Sequence, residues 1–144
     1  MKIGILIIFR NDENIIDVQK FIELFSQNVK LNVCLVNNES TDNTFALLKE
    51  IQEEAELSIS VIDVKKNRGH DAAVKAGIRY LNSAHDLPFI LCLKTYVSED
   101  FLTLEKVFAS IQQEKGIVTG LFQKTKRIVQ KNVFSLRGVL EFQT

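Results

Sequence analysis

The segment VCLVNNESTDNT, residues 33–44, decides the fold prediction. Its apolar start runs directly into a polar turn that opens a helix, in which Ser40 or Thr41 can accept a hydrogen bond from the first free helical N–H groups. Asp42 adds negative charge where the helix dipole favours it. In an open parallel sheet, a polar turn at the carboxyl end of a strand is where ligands bind. The helix continues with apolar residues at helical spacing, Phe45, Leu47, Leu48 and Ile51.

Outward from this segment, apolar strands alternate with amphipathic helices along the chain. This alternation predicts a three-layer α/β/α Rossmann-like domain with a mostly parallel sheet, right-handed crossovers and helices on both faces. Residues 1–122 form the predicted domain, and we interpret residues 123–144 as an extension of it made of strands, although periodicity does not separate a strand pair from a short helix there. Strands are predicted at residues 3–9, 31–36, 57–64, 89–93 and 117–122, and the other helices at about 13–26, 71–81 and 98–116.

Composition limits the function classes. The chain has 144 residues, close to the modal size of a single domain. Its 46% apolar and 25% charged residues are typical of a globular protein that buries a core. Eighteen basic and eighteen acidic residues leave no net charge, so we expect neither a nucleic-acid partner nor attraction to an anionic membrane.

The two cysteines and the apolar amino terminus carry no special signal. Cys34 and Cys92 lie in apolar, strand-like runs without metal-ligand spacing, so we expect buried, reduced thiols, which fits a cytoplasmic location. The apolar run 3–9 is too short for a signal peptide and is followed by the polar residues 10–13. No run approaches the roughly 20 apolar residues that a membrane-spanning helix needs.

A second segment supports a ligand site at the same edge of the predicted sheet. Residues 66–78 read KNRGHDAAVKAGI, and Gly69 precedes a helix amino terminus that could face a diphosphate. With VNNESTDNT, this segment resembles the motifs V-D-D/N-G-S-T-D-x-T and K-N-x-G-x-x-A-A-x-x-x-G-I of the family 2 glycosyltransferases, in the same order and at about the same spacing. The resemblance covers roughly residues 2–122 and implies the nucleotide-binding half of a GT-A fold, which binds a nucleotide-diphospho-sugar.

One departure from the family concerns its metal ion. The resemblance implies a D-x-D pair after the fourth strand, where two carboxylates hold a divalent cation against the sugar diphosphate. Here residues 93–96 read Leu-Lys-Thr-Tyr, while residues 97–102 remain similar to the family's S-P-D-F-L continuation. The alignment is therefore in register and both carboxylates are replaced, so we expect no metal ligands and no cofactor. Lys94 could instead place its own charge near a phosphate.

The resemblance also implies which residues face the nucleotide-sugar. Arg10 stands where the family has an aromatic residue, and its guanidinium could stack on a base or reach a phosphate. Asn37 takes the place of an Asp that accepts the base N–H, and Glu39 replaces a Gly. No catalytic residue is assigned. The predicted nucleotide-sugar site comprises Phe9, Arg10, Asn11, Asn37, Asn38, Ser40, Asn67, Arg68, Lys94 and Tyr96.

Three functions remain open from the sequence. The first is a glycosyltransferase that moves the sugar to an unknown acceptor. The second is a catalytically inactive binding or partner module of the same fold, which the missing carboxylates and the short stretch 123–144 favour, since the family's acceptor half follows the fifth strand. Such a module could have a protein partner or form a homo-oligomer. A signalling receiver is the third, but Asp63 at the end of strand three is followed by a basic loop.

Overall fold

The computed structural model describes residues 3–66, 69–84, 87, 89–112 and 133–135. Strands and helices alternate as predicted, and the strands within these residues form a five-stranded parallel sheet of order β3-β2-β1-β4-β5. The α/β class expected from the sequence is confirmed. The elements are β1 (Ile3–Phe9), α1 (Val18–Leu24), β2 (Leu31–Asn38), α2 (Thr44–Glu54), β3 (Ile59–Val64), α3 (His70–Ala84), β4 (Phe89–Leu93), α4 (Asp100–Gln112) and β5 (Val133–Ser135).

The centre of the sheet is β1, which hydrogen-bonds to β2 on one side and to β4 on the other. Ile5, for example, lies opposite Val33 and Leu91. Every residue of β1 is buried. A continuous apolar strand with β-branched residues is what a strand covered on both faces requires, so this stretch forms the middle of the core.

Helices cover the two faces of the sheet unequally. Alternate residues of β1 point to opposite faces, and Ile5 and Ile7 pack in one core cluster with residues of α1, α2 and α4. Leu6 and Ile8 pack in a second cluster with residues of α3. We call these sides the three-helix face and the α3 face. The connections from β1 to β2 and from β2 to β3 run in one direction along the sheet and place their helices on the three-helix face. The connection from β3 to β4 runs in the other direction and places its helix on the α3 face, so the three described crossovers have the same handedness.

Gly77 allows α3 to lie very close to β1. A Cβ atom at this position would come within 2.3 Å of the Leu6 Cδ1 atom, nearer than packed carbon atoms approach. The glycine of the second sequence segment therefore has a packing role. Gly77 sets the distance between α3 and the sheet. This distance determines where the amino terminus of α3 lies relative to the carboxyl ends of the strands.

The start of α1 differs from the sequence prediction. The helix begins at Val18 instead of about residue 13, because the Asp17 carboxylate accepts a hydrogen bond from the Lys20 amide at 3.2 Å and caps the helix there. The residues before it form a turn in which the amides of Ile15 and Ile16 donate to the Asp12 carbonyl. Amphipathic spacing alone did not show where the helix begins.

Other boundaries move by a few residues. The strand β2 continues to Asn38, two residues beyond the predicted end, because Asn37 and Asn38 still pair with Asp63 and Val64 of β3. The predicted strand 117–122 lies outside the described residues, as does most of the stretch 123–144. Within that stretch, β5 pairs in parallel with β4. Across the described part of the chain, each helix is too short or too polar to span a bilayer.

The two cysteines are free and buried on the α3 face. Both lie opposite Leu6, Cys34 on β2 and Cys92 on β4. Two strand spacings separate them, about 9–10 Å, which exceeds the reach of a disulfide. Burial raises the pKa of each thiol to about 12, so both stay protonated and behave as small apolar residues.

Candidate functional site

The carboxyl ends of the parallel strands meet at one edge of the sheet, and the candidate site lies there. Residues 10–13 follow β1 at this edge, residues 39–43 follow β2, and residues 94–99 follow β4. The helices α2, α3 and α4 begin at the same edge. Most of the residues predicted to contact a ligand lie in these connections or in the last residues of the strands.

The loops after β1 and β2 are joined by hydrogen bonds between residues 10–13 and residues 40–44, which we call the paired loops. The Asn11 amide donates to the Ser40 Oγ at 3.0 Å, and the Asn11 side-chain oxygen accepts from the Thr41 amide at 2.8 Å. The Asp12 amide donates to the Thr44 Oγ1 at 2.8 Å. The two loops therefore hold each other in place without a ligand.

The same loops carry an acidic group near their outer surface. The Glu13 amide donates to the Asp42 carboxylate at 3.2 Å, and the Asn43 side-chain amide donates to the Glu13 carboxylate at 3.0 Å. Burial raises the pKa of Asp12, a hydrogen bond from the Arg10 amide opposes the rise, and the charge of Asp42 adds to it. These carboxylates are held mainly by backbone and amide groups, so their role in the paired loops is structural.

The cap of α2 differs from the prediction. Ser40 and Thr41 were expected to cap the helix, but both bond to Asn11 instead. The Asp42 carboxylate accepts from the Thr44 amide at 3.0 Å and from its hydroxyl at 2.5 Å. Partial burial acts to raise the pKa of Asp42, yet these bonds together with the one from Glu13 lower it.

Two non-glycine residues of these loops have positive φ. Asn11 has a φ of 52° and Glu39 a φ of 47°. Asparagine tolerates this left-handed region, whereas a glutamate pays a cost on the order of 1 kcal/mol. The Glu39 amide donates to the Val64 carbonyl at 2.8 Å, which offsets part of that cost. The loop thus takes the conformation that the family's glycine implies, although glycine is absent.

Asn37 is buried, and both ends of its side-chain amide have protein partners. Its oxygen accepts from the Ser40 hydroxyl at 2.6 Å, and its nitrogen donates to the Asp63 carboxylate at 2.9 Å. The residue therefore ties the end of β2 to β3 and to the paired loops. A base N–H, which the sequence comparison would place on this oxygen, would have to share it with Ser40.

Asn38 follows on the opposite face of β2, the side covered by α3. It is only 1% exposed. Neither its side-chain oxygen nor its nitrogen has a hydrogen-bond partner among the described residues. An unsatisfied buried amide costs about 1–3 kcal/mol, so proteins seldom keep one without a water or a ligand to satisfy it.

Lys94 and Thr95 follow β4 at the edge, and both are exposed. A protonated ammonium repels a cation, and Thr95 brings no charge, so the residues at this point do not fit the divalent ion of the family. Within the part of the chain that the structure describes, no three His, Cys, Asp or Glu side chains are grouped to hold a metal ion. A cation at this edge would need other ligands.

Phe9 and Tyr96 have their rings in the core of the three-helix face. Both are almost fully buried, their ring centres lie 4.9 Å apart, and both rings contact Phe21. The Tyr96 amide donates to the Ile8 carbonyl at 3.2 Å, and burial raises the pKa of its hydroxyl. A ligand at the edge of the sheet would meet the backbone of these residues and not their rings.

The remaining predicted residues divide between the edge and the undescribed loop. Arg10 is exposed beside the paired loops, and its amide donates to the Asp12 carboxylate at 3.0 Å. Asn67 and Arg68 lie outside the described residues. Gly69, with a φ of 94°, comes just before α3 and is exposed, with open space on the side where a Cβ would point. The structure thus brings Arg10, Asn38 and the start of α3 to one edge.

Asp63 is the partner that sequence reasoning did not assign to the site. It lies opposite Asn37 in the register of β2 and β3, and it holds the Asn37 amide nitrogen. An acidic residue near the end of an otherwise apolar strand was visible in the sequence, but its partner depends on the strand register. Only the pairing of β2 with β3 places the two side chains together.

The fold and this edge define a three-layer α/β protein of the Rossmann-like type, whose ligands bind beyond the carboxyl ends of parallel strands. Residues 5–137 match the sequence profile described as glycosyl transferase family 2. Because the match covers most of the chain, the protein belongs to that family, as the two sequence segments indicated. The chain is also 25% identical over 99 residues to an uncharacterized protein of Methanocaldococcus jannaschii. That alignment covers 69% of this chain and 40% of the relative, so the chain spans well under two thirds of the relative's length.

Proposed function

We propose that the protein binds a nucleoside-diphospho-sugar at the carboxyl edge of its sheet, on the side of Asn38 and the amino terminus of α3. Membership of a glycosyl transferase family supports this ligand class and supports sugar transfer to an acceptor as the reaction.

The observation that carries the proposal is the unpartnered amide of Asn38. A side-chain amide is both a donor and an acceptor, so it can pair with the edge of a base or with a ribose hydroxyl. Asn37 has already used both of its polar atoms within the protein. Asn38 therefore makes the hydrogen bonds to the ligand that the resemblance assigned to Asn37. The start of α3 moves to admit the ligand, because Asn38 is buried.

The diphosphate would lie between the amino terminus of α3 and Lys94. The free N–H groups at the start of a long helix favour an anion, and α3 has 15 residues. An exposed lysine after β4 supplies positive charge where the family implies a cation. In this arrangement, the protein's own ammonium group stabilises the charge of the leaving diphosphate.

A catalytically inactive binding module is the second candidate. The observation that favours it is the absence of a D-x-D pair after β4, where residues 93–96 read Leu-Lys-Thr-Tyr, because a fold can persist after its chemistry is lost. In this case, the protein would bind the nucleotide and leave the sugar attached.

Calorimetric titration with uridine and guanosine diphosphates and their sugar conjugates, with and without Mn²⁺, tests both candidates. We expect saturable binding of one conjugate, and we expect Asn38→Leu to weaken it about tenfold because the ligand loses its amide partner. The matched control is Asn82→Leu, at an exposed position of α3. Slow release of free sugar identifies a transferase, and binding without release identifies the inactive module. If no nucleotide binds, the proposal is wrong.

A further inference from the structure

A groove of about 570 Å³ runs along the three-helix face between α1 and α4, apart from the nucleotide side of the edge. The two helices run in the same direction, because Phe21 of α1 contacts Phe101 and Phe25 contacts Phe108 further along α4. The groove lies between them along their outer sides. A channel between two parallel helices has the shape that accepts a third helix.

The groove has apolar side chains both on its floor and at its mouth. Leu24, Tyr96 and Phe101 line it from the core side. Ile15 is 37% exposed and Leu102 is 64% exposed at its rim. Phe101 and Leu102 lie four and three residues before Glu105 in α4, so the three residues face the groove from one side of the helix. Exposed apolar side chains that line one groove are typical of an interaction surface.

The rim of the groove is acidic. Asp17 and Glu23 border it on α1, and Glu105 borders it on α4. The one basic residue in the lining is Lys20, whose ammonium lies 6.0 Å from the centre of the Phe101 ring and is therefore directed across the groove. The whole chain carries no net charge. The negative charge here is thus a local property of the groove, and it attracts cations and repels acidic surfaces.

We propose that this groove binds a basic amphipathic helix of a protein partner. The partner's apolar residues, spaced i, i+3, i+4 and i+7, would pack on Phe101, Leu102 and Ile15, while its lysine or arginine side chains would pair with the acidic rim. An anionic membrane surface would be repelled by the same rim. This inference does not depend on nucleotide binding, because neither Asn38 nor Lys94 lines the groove. Tyr96 was predicted for the nucleotide-sugar site, but it contributes a buried ring to the floor of the groove.

The test uses a fluorescent helix-forming peptide made of leucine and lysine with amphipathic spacing, and a second peptide with glutamate in place of lysine. Anisotropy titration of the whole chain at low salt should give saturable binding of the first peptide on the order of 10 µM, and none of the second. Backbone amide shifts in the NMR spectrum should change along α1 and α4 only.

Variants of the rim give the sharpest test, because their effects have opposite signs. Glu23→Gln with Glu105→Gln should weaken the binding about tenfold, and Lys20→Gln should strengthen it about threefold, since each exposed ion pair makes a modest contribution to affinity. Leu102→Gln should weaken it about fivefold through lost apolar contact. The matched control is Glu50→Gln with Glu53→Gln, on the exposed side of α2.

Several results would overturn the proposal. They are failure of the leucine–lysine peptide to bind, equal binding of the two peptides, an equal loss of affinity in the α2 control, or shift changes elsewhere on the surface. Self-association of the chain that Leu102→Gln abolishes would place a second copy in the groove instead, and sedimentation velocity detects it. Because nucleotide titration of the same variants is independent, a failure here leaves the proposed nucleotide site to stand or fall by itself.

Discussion

Asn37 and Asn38 are neighbours at the end of β2, yet their surroundings differ completely. Asn37 points to the three-helix face, where its amide oxygen accepts from Ser40 and its nitrogen donates to Asp63. Asn38 points to the α3 face, where its amide has no partner among the described residues. Two residues of the same type, both buried, therefore have different hydrogen-bond environments.

The difference separates a side of the edge that is closed by hydrogen bonds from the side where we propose that the ligand binds. Towards the three-helix face, the paired loops are joined by hydrogen bonds and leave few polar groups for a ligand to bond. Towards the α3 face, a buried donor and acceptor remain available next to the start of a helix. Functional sites often retain such costs that the rest of the fold compensates, so the unsatisfied side is the better candidate for ligand recognition.

The largest expected effect comes from substituting these two asparagines in turn. Asn37→Leu should lower the free energy of unfolding by about 2–3 kcal/mol, because Ser40 loses its buried acceptor and Asp63 its donor. Asn38→Leu should change it by less than about 1 kcal/mol, or raise it, because removing an unsatisfied amide leaves no partner unpaired. Urea denaturation of both variants measures the two values.

Both variants place leucine at neighbouring positions of one strand, so each serves as the control for the other. The slope of the denaturation curves should stay constant, which would show that the unfolded states are comparable. Equal losses at the two positions would mean that Asn38 has an internal partner after all. That result would remove the contrast between the two faces.

A smaller effect is expected at Ser40, which links Asn37 to the loop after β1. Ser40→Ala removes the hydroxyl that donates to Asn37 and accepts from the Asn11 amide. We expect a loss of about 1–2 kcal/mol in the same assay, because the Asn37 oxygen is buried and the Asn11 amide is exposed. Ser58→Ala, at an exposed position before β3, is the control and should be nearly neutral. A loss as large as that of Asn37→Leu would mean that Ser40 holds the loops by itself.

How far the sequence predicted this contrast depends on the kind of interaction. The parallel α/β class and the edge followed from local patterns, since the apolar run of β1 and the polar turn after β2 each indicate their environment. The different surroundings of Asn37 and Asn38 did not, because they depend on which face each side chain meets and on the register with Asp63. Hydrogen bonds between residues far apart in the chain have no local signature.

The cap of α2 shows the same limit. Ser40, Thr41 and Asp42 are all good capping residues, and the sequence favoured the first two. In the structure Asn43 stands at the N-cap position without a side-chain capping bond, and the Asp42 carboxylate accepts from the first helical amide, that of Thr44. Asn11 of the neighbouring loop binds both Ser40 and Thr41. A cap is a local motif, but which of the three residues bonds the first helical amide depends on a loop about 30 residues away in the chain.

A further prediction concerns the ligand side of the edge. If Lys94 replaces the cation, Lys94→Ala should weaken nucleoside-diphosphate binding about fivefold and reduce its dependence on salt, because one screened charge interaction is lost. Mn²⁺ should not improve binding by the wild type. Lys49→Ala, on α2, is a control at another lysine and should leave the affinity unchanged. A tenfold gain on adding Mn²⁺ would show that carboxylates elsewhere bind the ion.

The smallest expected effect is a pH dependence within the paired loops, where two carboxylates act with opposite signs. The pKa of Asp42 is lowered, so its contribution to stability is present above its unfolded pKa and is lost as the pH falls through the lowered value. The pKa of Asp12 is raised, mainly by burial, so its ionised form destabilises the fold at neutral pH, and protonation on acidification removes that cost. At pH 7, Asp42→Asn should therefore lower stability and Asp12→Asn should raise it.

Each change should amount to about 0.5 kcal/mol, because Asp42 is exposed and Asp12 is only half-buried, so solvent screens both charges. The difference at Asp12 should vanish first as the pH falls, because its pKa is raised, and the difference at Asp42 should vanish only below its lowered pKa. Urea denaturation at a series of pH values follows the two curves, and the amide oxygen of each asparagine can still accept the backbone hydrogen bonds. Curves of the same sign would mean that the charges of the two loops do not oppose each other. The closed side of the edge would then be held by its hydrogen bonds alone.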